Sequence, residues 1–173
     1  MSNVRYVGLD VHKDSIVMSV AESGNSEAKV LGTFPNDINK IIKQLKKLSP
    51  DASLLRVCYE AGPTGFGLSR RLKKEGIDCI VVAPSLVPQK AGLRVKTDRR
   101  DSRKLAHYLR SGDLTQVWVP DEQTEALRDL ERTRDDAKNA ERTARHQLSK
   151  FLLRNDRVYR DGKEWTKKHM LWV

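Results

Sequence analysis

The order of strand-like and helix-like segments in the first half of this chain limits the folds that it can adopt. Three apolar runs rich in Val, Ile and Phe read as strands, and each ends at turn residues or at proline: 4–9, 15–21 and 29–34. The linkers between them are only a few residues long and are too short for a crossover connection. We therefore expect these three strands to form an antiparallel meander.

Helices alternate with strands after this meander. Apolar residues recur at helical spacing after Asn36 or Asp37, either of which can serve as the N-cap, and the pattern stops at Pro50. A strand at 54–59, a helix at 68–74 and a strand at 77–82 follow. Three hairpin strands followed by two helix–strand units predict an α/β fold with a mixed sheet and flanking helices. An RNase H-like arrangement satisfies this order.

A long charged helix is predicted in the last third of the chain, after a helix at 97–111 and a short strand at 116–119. Residues 121–155 contain no Gly or Pro and carry eight acids and eight bases. A helix of this length extends about 50 Å. Its positions at 3–4 spacing are apolar at the two ends and polar in the middle, which argues against a strict two-stranded coiled coil. We expect an arm that packs on a partner or on a later domain and mediates self-association.

The charge balance favours a polyanionic partner. Lys and Arg number 33 and Asp and Glu number 23, giving a net charge of +10. No apolar run reaches the roughly 18 residues of a membrane span, and the first residues lack the apolar core of a signal peptide. Cys58 and Cys79 lie in apolar runs, which is typical of buried reduced thiols. We expect a cytoplasmic protein without a membrane segment.

Four acidic residues stand where this fold could bring them together. Asp10 ends the first strand and Glu60 ends the fourth, and these strands are neighbours in an RNase H-like sheet. Asp98 and Asp101 share one face of the first turn of a helix. Two carboxylates about 4 Å apart repel by about 4 kcal/mol at an effective dielectric of about 20, so such a cluster holds protons or divalent cations. Oxygen ligands favour Mg²⁺ or Mn²⁺.

Each acid also has an ordinary structural interpretation. Asp10 can be a strand-end turn residue, and Glu60 a surface carboxylate. Asp98 can be a helix N-cap with Asp101 three residues later. The joint placement of all four favours the metal cluster.

Three segments carry a resemblance to a known family. Gly-Leu-Asp10-Val-His-Lys, Tyr-Glu60-Ala-Gly-Pro-Thr-Gly and Lys-Thr-Asp98-Arg-Arg-Asp101-Ser-Arg-Lys-Leu-Ala closely resemble the N-terminal motifs of DEDD-type insertion-sequence transposases, a group that includes the pilin-gene invertase Piv. The resemblance implies a RuvC-like domain at 1–120 whose four acids bind divalent metal and are catalytic. It also implies a helical arm at 121–156 and transposition of DNA guided by a structured bridge RNA.

One departure from the family pattern concerns the end of the chain. Members of the family continue into a second domain with a nucleophilic serine, and no matching motif occurs among these 173 residues. We expect 157–173 to be the start of that domain, and the chain to be the N-terminal part of such an enzyme.

Basic residues surround two of the acids. Between Lys90 and Arg110 there are eight bases and two acids. Cations beside an acidic site would hold phosphates, although a solvated helix face explains the same pattern. The predicted nucleic-acid contacts are Lys13, Lys90, Arg94, Lys96, Arg99, Arg100, Arg103 and Lys104.

Other interpretations fit the sequence less well. Residues 62–67, rich in glycine, lack the spacing of known phosphate-binding loops and are best explained as a turn. The four histidines share no spacing typical of a zinc site. An actin-like sugar kinase needs a duplicated fold for which this chain has no room. The serious rival is a non-catalytic module that binds RNA or DNA.

Overall fold

The computed structural model describes residues 3–88 and 98–173. The chain divides into two compact units, Met1–Val119 and Pro120–Val173. The strands are β1 (Arg5–Val11), β2 (Ser15–Glu22), β3 (Lys29–Pro35), β4 (Leu55–Glu60) and β5 (Asp78–Val82). The helices are α1 (Ile38–Leu48), α2 (Gly67–Lys74), α3 (Asp98–Ser111), α4 (Glu122–Arg154) and α5 (Lys167–Trp172), with short 3₁₀ turns at Ala52–Leu54 and Pro84–Leu86.

The five strands of the first unit form one mixed sheet in the order β3-β2-β1-β4-β5. β1 is antiparallel to β2, and β2 to β3, as the short linkers predicted. β1 is parallel to β4, and β4 to β5. Helix α1 connects β3 to β4 and helix α2 connects β4 to β5, and such helical crossovers allow parallel pairing. This order and these directions are those of an RNase H-like sheet, which confirms the predicted fold class.

The main core lies between one face of the sheet and helices α1 and α2. Inward-facing residues of the strands, such as Val7, Met18 and Val57, pack there against Ile41 and Leu72 of the helices, all nearly inaccessible to solvent. Asp37 caps α1, since its carboxylate accepts hydrogen bonds from the backbone N–H groups of the second and third helical residues. The helix predicted from the apolar spacing therefore begins where the sequence indicated.

Helix α3 covers the opposite face of the sheet at unusually short range. A Cβ built on Gly8 would lie 2.3 Å from the carbonyl oxygen of Ser102 and 2.5 Å from the backbone nitrogen of Ala106. Ser19, which pairs with Gly8 across the β1–β2 ladder, forms a buried 2.8 Å hydrogen bond through its hydroxyl with that of Ser102. Only the smallest side chains allow this approach, and Leu105 and Tyr108 complete the layer.

The segment that follows α3 differs in part from the prediction. Residues 116–119 were expected to form a short strand, but the pairing is limited to a bridge between Gln116 and Val82, with a 2.8 Å hydrogen bond from the N–H of Val117 to the carbonyl of Val81. Pro120 follows directly and has no N–H to extend a ladder. The predicted helix at 97–111 is seen from Asp98 onward, and residue 97 lies outside the described residues.

The second unit consists of α4 and a short C-terminal segment that includes α5. Asp121 caps α4 by accepting a 2.7 Å hydrogen bond from the N–H of Thr124. Four aromatic rings of the C-terminal segment lie against one another, with centroid separations of 4.7–5.7 Å: Tyr159, Trp165, His169 and Trp172. Across the ranges described, no helix is both long and apolar enough to cross a lipid bilayer.

The contact between α3 and β1 predicts an asymmetric response to two glycine substitutions. Gly8→Ala forces a methyl group into the backbone of α3, so we expect a decrease of about 3 kcal/mol in the free energy of unfolding, as for severe overpacking. Gly67→Ala is the matched control, because a Cβ on Gly67, the first residue of α2, meets no atom within 4 Å. Urea unfolding followed by circular dichroism measures both variants. Equal stabilities would contradict the contact.

Candidate metal centre

The parallel pairing of β1 and β4 places two of the predicted acids at one edge of the sheet. Leu9 pairs with Tyr59, so Asp10 and Glu60 follow at the same level on adjacent strands. Both residues are half-buried, and the side chain of Asp10 keeps 20% of its surface exposed. The strand order therefore explains why two residues 50 positions apart in sequence share one edge.

Helix α3 contributes the other two acids. Asp98 and Asp101 lie in its first turn, and the close contact at Gly8 fixes that turn beside the end of β1. All four predicted carboxylates line one cavity of about 310 Å³. The remaining lining residues are Val11, His12, Ala61, Gly62 and Pro63. The structure thus brings together every acid that the sequence analysis singled out.

His12 is a member of this cluster that the sequence analysis did not select. Its Nε2 lies 3.1 Å from Oδ2 of Asp10 and 3.6 Å from Oδ2 of Asp98. Ligand-type atoms of these three residues all lie within 4.8 Å of one another. The signal that could have found it is its position two residues after Asp10, directly after the end of β1.

Burial and like charge act together on Asp10. The pKa of its carboxyl is raised above the ordinary 3.8, first because burial penalises the charged form and also because Asp98 and Asp101 are close. His12 acts in the opposite direction through its charge and its hydrogen bond. Lys104 places Nζ 3.7 Å from Oδ1 of Asp101 and offsets part of the negative charge on that side. A divalent cation would satisfy the same oxygens.

The predicted nucleic-acid contacts have different surroundings. Arg99 and Arg100 are exposed in the first turn of α3, and Lys13 is exposed in the turn between β1 and β2. Arg103 instead holds the loop before β3, because Nε donates to the carbonyl of Ala28 and its terminal nitrogen contacts Glu27, both at 2.9 Å.

Three of the predicted nucleic-acid contacts fall in the segment 89–97. Lys90, Arg94 and Lys96 lie outside the described residues.

Comparisons with known proteins give a consistent description. The transposase family model DEDD_Tnp_IS110 matches residues 7–155. A Sinorhizobium fredii (strain NBRC 101917 / NGR234) protein named "Putative transposase y4qE" is 46% identical over 169 residues, which are 97% of this chain and 43% of that protein. The transposase for insertion sequence element IS1533 of Leptospira borgpetersenii is 38% identical over 170 residues, which are 97% of this chain and 49% of that protein. The chain spans less than half the length of both relatives.

Similarity to solved structures is more distant. The large terminase nuclease of thermophilic phage G20c has a TM-score of 0.40 at 19% identity, over 70% of this chain and 61% of the nuclease. T. thermophilus RuvC in complex with a Holliday junction substrate has a TM-score of 0.37 at 11% identity, over 66% of this chain and 99% of RuvC. The fold assignment itself depends on the strand order and directions described above.

The raised pKa of Asp10 predicts a stability difference that depends on pH. Because the folded-state pKa lies above the unfolded one, the stability that protonated Asp10 contributes is complete below about 3.8 and is lost as pH rises through the folded-state value. In metal-free buffer Asp10→Asn should therefore raise the midpoint of thermal unfolding at about pH 7, with a smaller gain at about pH 5. Asp14→Asn, an exposed position outside the cavity, is the control. A gain independent of pH would contradict the assignment.

Proposed function

This chain belongs to the transposase family DEDD_Tnp_IS110, and from that premise we propose that its first unit carries the metal-binding catalytic site for cutting DNA strands of an insertion sequence. The observation that carries this proposal is the convergence of Asp10, Glu60, Asp98 and Asp101 on one cavity at the edge of the sheet. Like charges repel, so the gathering of four carboxylates from two strands and a helix at one place costs free energy that a bound cation would offset.

The donor set suits a hard divalent cation. Carboxylate oxygens of Asp10 and Asp98 lie close enough to share one ion, with His12 beside them, and Glu60 and Asp101 line the same cavity. Oxygen-rich sites favour Mg²⁺ or Mn²⁺, and an imidazole nitrogen is better tolerated by Mn²⁺. When bound, such ions polarise a phosphate and stabilise the attacking and leaving oxygens in phosphoryl transfer.

The chain's own residues would position the nucleic acid. Lys104 lies beside Asp101 at the cavity, and exposed Arg99 and Arg100 lie in the same turn of α3. These cations can bind backbone phosphates next to the carboxylates. Such contacts position the strand that is cut but do not recognise its base sequence. The resemblance to DEDD-type transposases supports a guide RNA that pairs with the DNA and supplies sequence choice.

A second candidate function is a fragment that binds RNA or DNA without catalysis. It is favoured by the exposed cations Arg99 and Arg100 in the first turn of α3, which can bind backbone phosphates without any metal. The two candidates differ in what the carboxylates do. In the catalytic site they bind metal, whereas in a binding module they contribute nothing to affinity.

Metal binding is tested with the ion alone. Isothermal titration of the chain with Mn²⁺ and with Mg²⁺ should show saturable binding, and Asp101→Asn or Glu60→Gln should weaken it by at least about tenfold, as expected when a metal site is deprived of a ligand. Asp14→Asn removes the same charge outside the cavity and serves as the control. Unaltered metal binding in both site variants would contradict the assignment of these carboxylates as metal ligands.

Nucleic-acid binding is tested separately from metal binding. Replacing both Arg99 and Arg100 by Ala should weaken binding to a branched DNA probe, and the slope of log affinity against log salt should fall by about 0.9 for each phosphate no longer neutralised. Lys43→Ala is the control, an exposed cation on α1 across the sheet from α3. Glu60→Gln separates the candidates, because abolished cleavage with retained affinity supports catalysis.

Three outcomes would count against this division of roles. A slope unchanged in the double variant would exclude these arginines as phosphate contacts. Cleavage unchanged by Glu60→Gln would contradict the catalytic role of this carboxylate, and an original chain that binds the probe without cutting it would leave the binding module as the better account.

A further inference from the structure

A cavity within the second unit is lined by basic and aromatic side chains. It lies between residues 142–153 of α4 and residues 157–172, which follow this helix, and we name it the α4 pocket. Its volume is about 500 Å³. Sites that bind small ligands typically measure roughly 300–1,000 Å³, so the α4 pocket is large enough for one.

The aromatic part of the α4 pocket is built around a buried histidine. His169 is only 3% exposed, and its Nδ1 accepts a 3.0 Å hydrogen bond from the backbone N–H of Trp165. Nε2 therefore carries the proton of the neutral ring. Trp165 has a positive φ of 61°, a strained conformation for a bulky residue, and the same hydrogen bond helps to hold it there. Backbone strain of this kind is common where proteins bind ligands.

One ring of the pocket offers a surface on which a base can stack. Trp172 stacks on His169 with a centroid separation of 5.7 Å and an interplanar angle of 18°, and it keeps 37% of its surface exposed. The ring of Trp165 instead carries the guanidinium of Arg145, which lies 5.1 Å from the ring centroid. An indole that is supported by a neighbouring ring and partly open to solvent is suited to stacking on an unpaired base.

The α4 pocket is also cationic. Four basic side chains and one acidic side chain line it: Arg142, Arg145, Lys150, Arg157 and Glu164. Among the residues that the structure describes, Lys150 and Arg157 form no ion pair, so both are available to a ligand. An excess of positive charge beside an aromatic surface complements a ligand that combines phosphate with a flat ring.

We propose that the α4 pocket binds an unpaired nucleotide of a nucleic-acid strand. The base stacks on Trp172, and Lys150 and Arg157 contact the phosphates on either side of it. Within a duplex the neighbouring bases cover both faces of each base, so the pocket selects unpaired over paired strands. This inference goes beyond the proposed function, because it concerns the other unit of the chain and requires no metal.

Binding of single-stranded probes tests the pocket in the full chain. The probes are fluorescent oligo(dU) and oligo(U) of about 12 nucleotides, measured by fluorescence anisotropy in EDTA. Every protein also carries Arg99→Ala and Arg100→Ala, so that neither the metal site nor the proposed phosphate contacts of α3 decide the result. Saturable binding of either probe supports the proposal, and tighter binding of oligo(U) would show that the 2′-hydroxyl is recognised. No binding of either probe would overturn it.

The stacking surface is tested by two substitutions at one position. Trp172→Ala removes the ring and should weaken binding at least about fivefold, whereas Trp172→Phe keeps a ring and should retain most of the affinity. Trp118→Ala is the matched control, because this exposed tryptophan belongs to the first unit and does not line the pocket. Equal affinities of the Trp172→Ala and Trp118→Ala proteins, or of the two proteins changed at Trp172, would contradict stacking.

The phosphate contacts are tested by variants that leave every ring in place. Replacing Lys150 and Arg157 by Ala should reduce the slope of log affinity against log salt by about 0.7 for each phosphate no longer neutralised on a single strand. Lys138→Ala removes an exposed cation of α4 that does not line the pocket and should leave the slope unchanged. If the slopes of the two proteins are equal, the assigned phosphate contacts are wrong.

Competition and cross-linking distinguish this site from general attraction between opposite charges. An oligo(dA)·oligo(dU) duplex and inorganic polyphosphate expose no base face, so both should displace the probe less well than the unlabelled single strand. A probe with 5-iodouracil at one position should cross-link under ultraviolet light to the segment from Tyr159 to Trp172, identified by mass spectrometry. Displacement by polyphosphate as effective as by the single strand, or cross-links found only outside this segment, would overturn the proposal.

Discussion

The contact between Gly8 and the backbone of α3 is the constraint on which the arrangement of the first unit depends. Any Cβ at this position would meet a carbonyl oxygen and an amide nitrogen within 2.5 Å, so the helix rests directly on β1. The hydroxyl pair of Ser19 and Ser102 fixes rotation and sliding at the same place. Because Asp101 precedes Ser102 directly, the position of this contact decides how far the carboxylates of α3 lie from Asp10.

Bringing these carboxylates together raises the electrostatic free energy of the folded state, and the rest of the fold must offset this increase. Burial and two neighbouring carboxylates disfavour the ionised form of Asp10, and such unfavourable environments are common where a protein holds a metal or a catalytic group. His12 and Lys104 offset part of the charge. The well-packed core on the opposite face of the sheet supplies the stability that tolerates this cluster.

Most of the fold could be predicted from local patterns. Strand alternation and helical spacing indicate the secondary structure of each segment, and short linkers limit how neighbouring strands can pair. The four carboxylates followed from that fold, since strand ends and a helix start are readable positions. The contact of Arg103 with the carbonyl of Ala28 was not readable, because it joins residues 75 apart through a loop. His12 was missed for another reason: spacing among the four histidines does not reveal it, whereas its two-residue separation from Asp10 does. The strand at 116–119 was overpredicted, because apolar residues beside Pro120 satisfy the pattern without a partner to extend the ladder.

The balanced total of acids and bases in helix α4 does not show how unevenly they are distributed along it. Its eight acids and eight bases, counted with Asp121, suggest a helix without electrostatic character, yet the acids concentrate in the first half and the bases in the second. That order agrees with the helix macrodipole, which favours acids near the N-terminus and cations near the C-terminus, and so contributes to a helix that buries none of its residues. The order of the charges therefore stabilises the helix itself, although acids and bases nearly balance over its length.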